Sequence, residues 1–439
     1  MSGESGSGAT RREFIRQTVA AGAAAGLTLG QGAASAARSA ARVLGANDRI
    51  NLGLIGCGGR GRWVMENMVH PANANTALVA VCDIWKERRE TYPGEAEKAY
   101  GLKPKVYADY RKLLEHADVD AVIIATPDHL HCGQTVDAVA AGKHVYVEKP
   151  LAAVIADLPG LNKCYETVKA SKMAVQMGTQ GVSSPGARAI KSFIAEQKLG
   201  KLFRVESSES TLRPYWVNYK GPQTESETDW AAFLGPRPNR PFNAHLHASW
   251  MGYYDITSGA IGGWMSHFIN AVHFVTGCQM PVSATAWGGR YECGDDPRCD
   301  APDQVTVMLD YADPLGSGDG FHTQFTSHFG SCIDAETTRF MFQKGMIKSG
   351  FGHDLGNPVS STEGVERKFV EQKLLDTDPP YPGQEHVTNW FDCIRNGNQP
   401  NANIEFGYKH SIAVLLGDQA YVQKRKMVFD PETRNIKQA

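Results

Sequence analysis

Three groups of residues point to chemistry. The first is Gly56-Cys57-Gly58-Gly59-Arg60-Gly61, a G-x-G-x-x-G turn. Gly56 permits a tight turn and Gly58 lets the backbone approach a pyrophosphate. Gly61 lets the following helix pack closely on the preceding strand. The helix N-terminus then offers unpaired N–H groups and a positive dipole end to phosphates. The second is Asp83, 22 residues beyond Gly61. This is close to the ~20 expected of a carboxylate that accepts from both adenosine ribose hydroxyls. Such a carboxylate repels a 2′-phosphate, so NAD is favoured over NADP. Arg88 and Arg89 are the counter-signal, because a nearby Arg accommodates that phosphate; they read here as solvated helix charges. The third group is a pair of loops, Thr126-Pro127-Asp128-His129-Leu130-His131 and Glu148-Lys149-Pro150.

These groups sit at the ends of readable elements. Ile50–Ile55, Ala77–Cys82, Lys105–Tyr107, Ala121–Ala125, His144–Val147 and Met173–Met177 read as strands. Helical stretches follow at 62–70, 85–100, 109–116, 131–142 and 155–171. Strands alternating with helices imply a doubly wound parallel sheet, and ligands bind such sheets beyond the carboxyl ends of the strands. That rule collects the glycine turn and both loops at one rim. From about residue 180 the alternation stops. A helix is expected at 187–197 and a strand at 203–211, followed by a long loop at 213–256. The loop carries Trp216, Tyr219, Trp230, Trp250, Tyr253 and Tyr254, which either stack on a ligand's rings or pack against neighbours. A helix at 262–276 shows one apolar stripe, Trp264, Phe268, Val272 and Val275. Further strands are expected near 282–291, 304–311, 321–328, 336–343 and 345–349, with a hairpin loop at Gly316–Gly320. Helices are expected at 384–396 and 406–424.

The glycine turn, T-P-D-H-x-H at 126–131 and A-G-K-H-V-Y-V-E-K-P at 141–150, in this order, resemble the Gfo/Idh/MocA family. The resemblance covers about residues 48–430. It implies an α/β protein: an N-terminal Rossmann domain and a C-terminal α/β domain with a large, mostly antiparallel open sheet whose face covers the nicotinamide. It also implies hydride transfer at a sugar or cyclitol carbinol, and an open sheet that commonly buries its outer face against a partner subunit, hence a homo-oligomer. Lys149 then lies beside the nicotinamide. There an ammonium stabilises the alkoxide that develops as hydride leaves, and burial lowers its pKa towards a value useful in proton transfer. The family carries an Asp and, four residues later, a His on the helix after the long loop. The His matches His267, but the Asp position is Gly263. Asp255 is the candidate substitute. His273 points to another face and reads as a core histidine.

The resemblance and the residues together name the candidate sites. Lys149 and His267 are the catalytic candidates. The cofactor-binding candidates are Gly56, Gly58, Gly59, Arg60, Gly61, Asp83, Thr126, Pro127, His131, Glu148, Lys149 and Gln180, with Thr179 at the same sheet edge. No metal site is expected. His245 and His247 alternate without a third ligand at suitable spacing, and no CxxC pair occurs among nine cysteines. Cys293 and Cys299 flank a short loop that a disulfide could close.

The remaining chain bounds the setting. With 439 residues, 42% apolar and 21% charged, it is an ordinary globular chain with a real core. A net charge of −2 gives no drive towards nucleic acid or an anionic membrane. Residues 1–36 resemble a twin-arginine export signal: Arg11-Arg12 with Phe14-Ile15, a weakly apolar run over 18–30, and Ala34-Ser35-Ala36 as a cleavage site. The run is too rich in Gly and Ala to span a membrane. The expected organisation is therefore a signal at 1–36, a linker at 37–48, an NAD-binding domain at 49–180, a substrate and oligomerisation domain at 181–430 and a tail at 431–439. The expected location is periplasmic or extracellular. An exported enzyme meets no NAD pool, so the cofactor must stay tightly bound. Three functions fit: an oxidoreductase on a sugar, glycoside or cyclitol; a glycosidase that oxidises, eliminates, hydrates and reduces within one turnover; or a non-catalytic sugar-binding protein.

Overall fold

The computed structural model describes residues 48–196, 199–211, 214, 216, 220–291, 299–312, 320–330, 337–350, 355–363 and 369–439. The expected export signal, Tyr219, Cys293 and nearly all of the Gly316–Gly320 loop lie outside them.

Six parallel strands form the first sheet: β1 (Ile50–Ile55), β2 (Thr76–Cys82), β3 (Lys105–Tyr107), β4 (Ala121–Ile124), β5 (His144–Glu148) and β6 (Val175–Gly178), in the order β3-β2-β1-β4-β5-β6. β1 and β4 are buried along their whole length because helices cover both faces, which is why they read as unbroken apolar runs. β1 pairs with both β2 and β4, so the strand order reverses there and a crevice opens beyond their carboxyl ends. The covering helices are α1 (Gly59–Val64, continuing through a π turn at Met65–Val69), α2 (Lys86–Tyr100), α3 (Tyr110–Leu114), α4 (His131–Ala140) and α5 (Leu158–Lys169). α6 (Pro185–Ala195) then leads into the second half.

That half is built on a ten-stranded sheet: β7 (Leu202–Thr211), β8 (Ser283–Gly289), β9 (Gln304–Tyr311), β10 (Phe321–Phe329), β11 (Thr337–Phe342), β12 (Gly345–Ser349), β13 (Val359–Glu363), β14 (Phe369–Lys373), β15 (Met427–Asp430) and β16 (Asn435–Gln438). β7 and β10 run parallel and the other paired strands antiparallel. Alternation sets the faces. In β10, Phe321, Phe325 and Phe329 are buried while the residues between them are more open, except for Thr323 and Ser327 on the buried side. The inner face packs on α9 (Ser266–Thr276) and on α11 (Ile404–Gln423). The sequence left β13 to β16 unassigned, and the expected tail at 431–439 closes instead as a β15–β16 hairpin.

Two features join the halves around the crevice. α10 (Gly383–Asn396) returns to the first sheet, where Val387, Trp390 and Phe391 pack on Ile50, Leu52, Leu54 and Tyr146. Burying each of those rings contributes about 2 kcal/mol. The core of the NAD-type domain therefore draws on residues far beyond 180. The second feature is the segment expected as a long loop. Over 220–256 it contains α7 (Trp230–Leu234) and α8 (Ala244–Ala248) around a small core of Trp230, Phe233, Leu234, Leu246 and Ile256. It forms a strap tied to the first domain at four points. Thr228 bridges Trp85, and the Asp229 amide donates to the Ile84 carbonyl at 3.3 Å. His129 Nε2 meets the Phe233 carbonyl at 2.7 Å, and Arg237 pairs with buried Asp157 at 2.7 Å. Trp216 and Trp230 are core residues, whereas Trp250 faces the crevice.

Candidate active site

The crevice between sheet rim and strap is a cleft of about 1180 Å³. That exceeds the ~300–1,000 Å³ of sites for single small ligands. At one end lies the glycine turn. Gly56 has φ +95°, and a Cβ there would stand 2.6 Å from the Ala125 carbonyl oxygen. A Cβ on Gly61 would stand 2.1 Å from the Gly56 oxygen, so Gly61 sits behind the cleft wall and fixes how closely α1 meets β1. Gly59 has open space where a Cβ would be and lines the cleft. Asp83, buried at the end of β2, accepts from the Cys57 amide and the Trp85 amide, each at 2.8 Å. The same carboxylate thus braces the turn that it flanks. The two arginines after it are not solvated charges. Arg89 donates to the Asp83 and Ile84 carbonyls at 2.8 and 2.7 Å. Arg88 lies over the Trp85 ring, with a guanidinium nitrogen 3.6 Å from Asp83. A diphosphate fits this end: a glycine turn without side chains, a helix start and a guanidinium above Gly58.

At the other end lie the two loops. Arg60 reaches from the glycine turn to Glu148 at 2.9 Å. Behind Glu148, Tyr146 Oη donates at 3.4 Å, and Gln180 in turn donates to Tyr146 at 2.5 Å. Gln180 and Thr179 are buried behind the wall, so Gln180 reaches the cleft only through Glu148. Gly178, paired with Glu148 in register, makes room: a Cβ there would stand 2.7 Å from the Glu148 carboxylate. The sequence signal for this lock was a glycine closing a strand. Thr126 lines the cleft beside Pro127, and its hydroxyl donates to Gln134 at 2.7 Å. His131 braces the two loops, with Nδ1 2.7 Å from the Pro150 carbonyl and Nε2 2.8 Å from the Thr126 carbonyl. His129 is likewise engaged with the strap, and burial pushes it down to about 3, which keeps it neutral.

Lys149 stands between these loops and the second half. Its peptide bond to Pro150 is cis, and its Nζ donates to the Gly263 carbonyl at 2.5 Å. Burial pushes the ammonium down to about 8, against the pull of the Asp128 and Glu148 carboxylates. The helix expected at 262–276 begins as a π turn, Ile261–Met265, a form frequent at functional sites. Gly263 in that turn accepts from Lys149 and from Ser266 Oγ at 3.1 Å. One turn on, half-buried His267 lines the same cleft, its ring 6.0 Å from that of Trp264. A backbone carbonyl thus occupies the place where the resemblance expects an acid. Asp255 does not replace it: that carboxylate pairs with Arg240 at 2.6 Å, away from the cleft lining. His273 is buried against Tyr311 at 3.0 Å. His245 bonds Tyr253, and His247 stacks on Phe233. Among the described residues no three metal-ligating side chains converge. Cys299 is buried, but its expected partner lies outside the described residues.

Two family models match the chain in succession. An oxidoreductase family model with an NAD-binding Rossmann fold covers residues 50–179, and the C-terminal α/β domain model of the same family covers 185–286. The chain belongs to the Gfo/Idh/MocA oxidoreductase family. Its glycine turn, Asp83 and Lys149 fall in the first matched part and His267 in the second. Among Gfo/Idh/MocA relatives, levoglucosan dehydrogenase of Pseudarthrobacter phenanthrenivorans is 25% identical over 60% of this chain and 65% of its own. A glycosyl hydrolase family 109 protein of Solibacter usitatus is 31% identical over 37% of this chain and 36% of its own. Inositol 2-dehydrogenase of Salmonella typhimurium is 30% identical over 41% of this chain and 51% of its own. The chain thus spans between about a third and two thirds of these relatives' lengths. In the solved structure of levoglucosan dehydrogenase with NADH and levoglucosan, the fold matches with a TM-score of 0.66 at 19% identity, over 86% of this chain and 99% of that one.

Proposed function

We propose that this chain is an NAD-dependent oxidoreductase that moves hydride between a carbinol carbon of a sugar or cyclitol and a nicotinamide. The observation that carries the reading is the placement of Lys149 against the Gly263 carbonyl, one helical turn before His267, in a cleft that also holds the glycine turn. The nicotinamide, when bound, supplies the hydride acceptor. His267 takes the hydroxyl proton, and the Lys149 ammonium holds the oxygen as negative charge develops there. Trp250 and Trp264 on the cleft wall suit the apolar face of a sugar ring. Levoglucosan and inositol dehydrogenases among the relatives support the substrate class. The glycosyl hydrolase relative supports a second reading, in which oxidation is followed by loss of the aglycone, addition of water and return of the hydride. Both readings use one site and differ in product.

Asp83 supports NAD over NADP, with Arg88 as the opposing feature. The strap supports retention of the nucleotide, since the Trp85–Thr228, His129–Phe233 and Arg237–Asp157 ties fix it beside the cleft. Retention in turn is what an exported enzyme needs, and we propose that the chain works after twin-arginine export with the nucleotide aboard. Protein recovered from outside the cytoplasm, denatured and analysed by mass spectrometry, should release NAD in near-stoichiometric amount. Incubated with a panel of glycosides and cyclitols, it should yield keto products with reduction of the bound nucleotide. Free aglycone without net redox change would favour the second reading, and protein that binds sugars but alters none of them would sink both.

A further inference from the structure

The cleft contains a carboxylate that neither the glycine turn nor the catalytic pair uses. Asp128 follows β4, is 6% exposed, and accepts from Thr257 Oγ1 at 2.8 Å across 129 residues of chain. Thr257 touches the π turn: a Cβ built on Gly262 would stand 3.2 Å from its hydroxyl. The next residue, Gly263, carries the carbonyl that receives Lys149. Asp128, Thr257, Gly263 and Lys149 all line the same cleft. His131, three residues on, ties this loop to the next through the Pro150 and Thr126 carbonyls. A buried carboxylate is costly without such neighbours.

We propose that Asp128, fixed by Thr257, is the positioning carboxylate that holds Lys149 as the ammonium in a chain whose position 263 has no side chain. The inference rests on the reading of Lys149 as the group that holds the reacting oxygen. Besides Asp128, the charged groups that act on Lys149 are Glu148 and Arg60. Glu148, on its own strand, is engaged by Arg60 at 2.9 Å, and that guanidinium opposes the ammonium. His410 of α11 faces Lys149 and is pushed down to about 3 by burial, so it brings no charge. His267, one turn beyond Gly263, lines the same cleft. Asp128 heads the influences that raise the lysine's proton affinity. It does so while burial raises its own pKa and His131, Lys149 and Thr257 lower it.

The test reads Lys149 directly and needs no substrate. The purified chain is acetylated briefly with trace acetic anhydride across a pH series, and the Lys149 peptide is quantified by mass spectrometry. The parent chain should show a midpoint near 8. In Asp128→Asn the midpoint should fall by about one pH unit, as expected on loss of an opposite charge in the same cleft. Thr257→Val should move it the same way by less, and Asp128→Glu should restore it in part. Thr257→Val keeps the test decisive if Asp128→Asn does not fold. A midpoint that stays put or rises in the folded variants overturns the proposal. If the midpoint falls while no sugar or cyclitol is turned over by the parent chain, the link between Asp128 and Lys149 stands and the proposed function fails.

Discussion

Replacing Lys149 with Ala is expected to lower turnover by about a thousandfold, the upper range for loss of a group that holds a developing oxyanion. The nucleotide should remain bound, because the glycine turn expected to seat its phosphates and Asp83, expected at its ribose, line the other end of the cleft. The loss should therefore fall on kcat. The pH dependence follows from the same side chain. Burial places the ammonium at about 8 rather than 10.5, so the polarising form declines as pH rises through about 8, and kcat/KM should decline with it. Below that pH the ammonium persists and Lys149 imposes no limit. Steady-state kinetics across pH, with nucleotide content measured on the same samples, check all three expectations. Turnover retained within a few-fold in Lys149→Ala would remove the lysine from the chemistry.

Gly61→Ala is the second large effect, and it acts on binding and stability together. The added Cβ would stand 2.1 Å from the Gly56 carbonyl oxygen and 3.3 Å from the Leu54 side chain. The first neighbour is backbone in a turn that is itself fixed, because Gly56 donates to the Cys82 carbonyl at 2.8 Å and has φ +95°. The backbone oxygen cannot yield cheaply, so α1 must move away from β1. Overpacking of this kind costs about 3 kcal/mol. The nucleotide content of the purified variant should fall at least about tenfold, and its thermal midpoint should drop even with excess NAD present. Gly59→Ala is the control for the thermal midpoint alone, since open space surrounds that Cβ in the cleft. If Gly61→Ala kept full nucleotide and an unchanged midpoint, the turn would not be the phosphate seat.

How much of this was legible in the sequence depended on which forces wrote it. The parallel sheet was readable because strands covered on both faces must be apolar throughout, as Ala121–Ile124 is. Gly56, Gly58 and Gly61 were readable because backbone geometry alone demands them. β13 and β16, Val359–Glu363 and Asn435–Gln438, were not readable, since strands made mostly of polar residues carry no apolar alternation. The return of α10 to the first sheet was hidden for another reason: an amphipathic helix announces that it packs, but not on what. Asp128 was visible as a motif residue, yet its pairing with Thr257 depends on a contact across 129 positions. Asp255 failed as a substitute because Arg240, 15 residues earlier, claims it. Arg88 and Arg89 looked solvated because spacing does not show side chains folding back on their own strand end.

The strap has a bearing on how the protein comes to exist. Everything that recognises a diphosphate has left the ribosome by about residue 90, and domains tend to collapse in the order of synthesis. Yet the wall formed by Lys220 to His267, together with Trp390 under the first sheet, emerges much later. A nascent chain can thus display the glycine turn long before it can enclose anything. On the proposed reading, loading is then a late event that waits for the strap. An empty molecule should be the one that proteases find first.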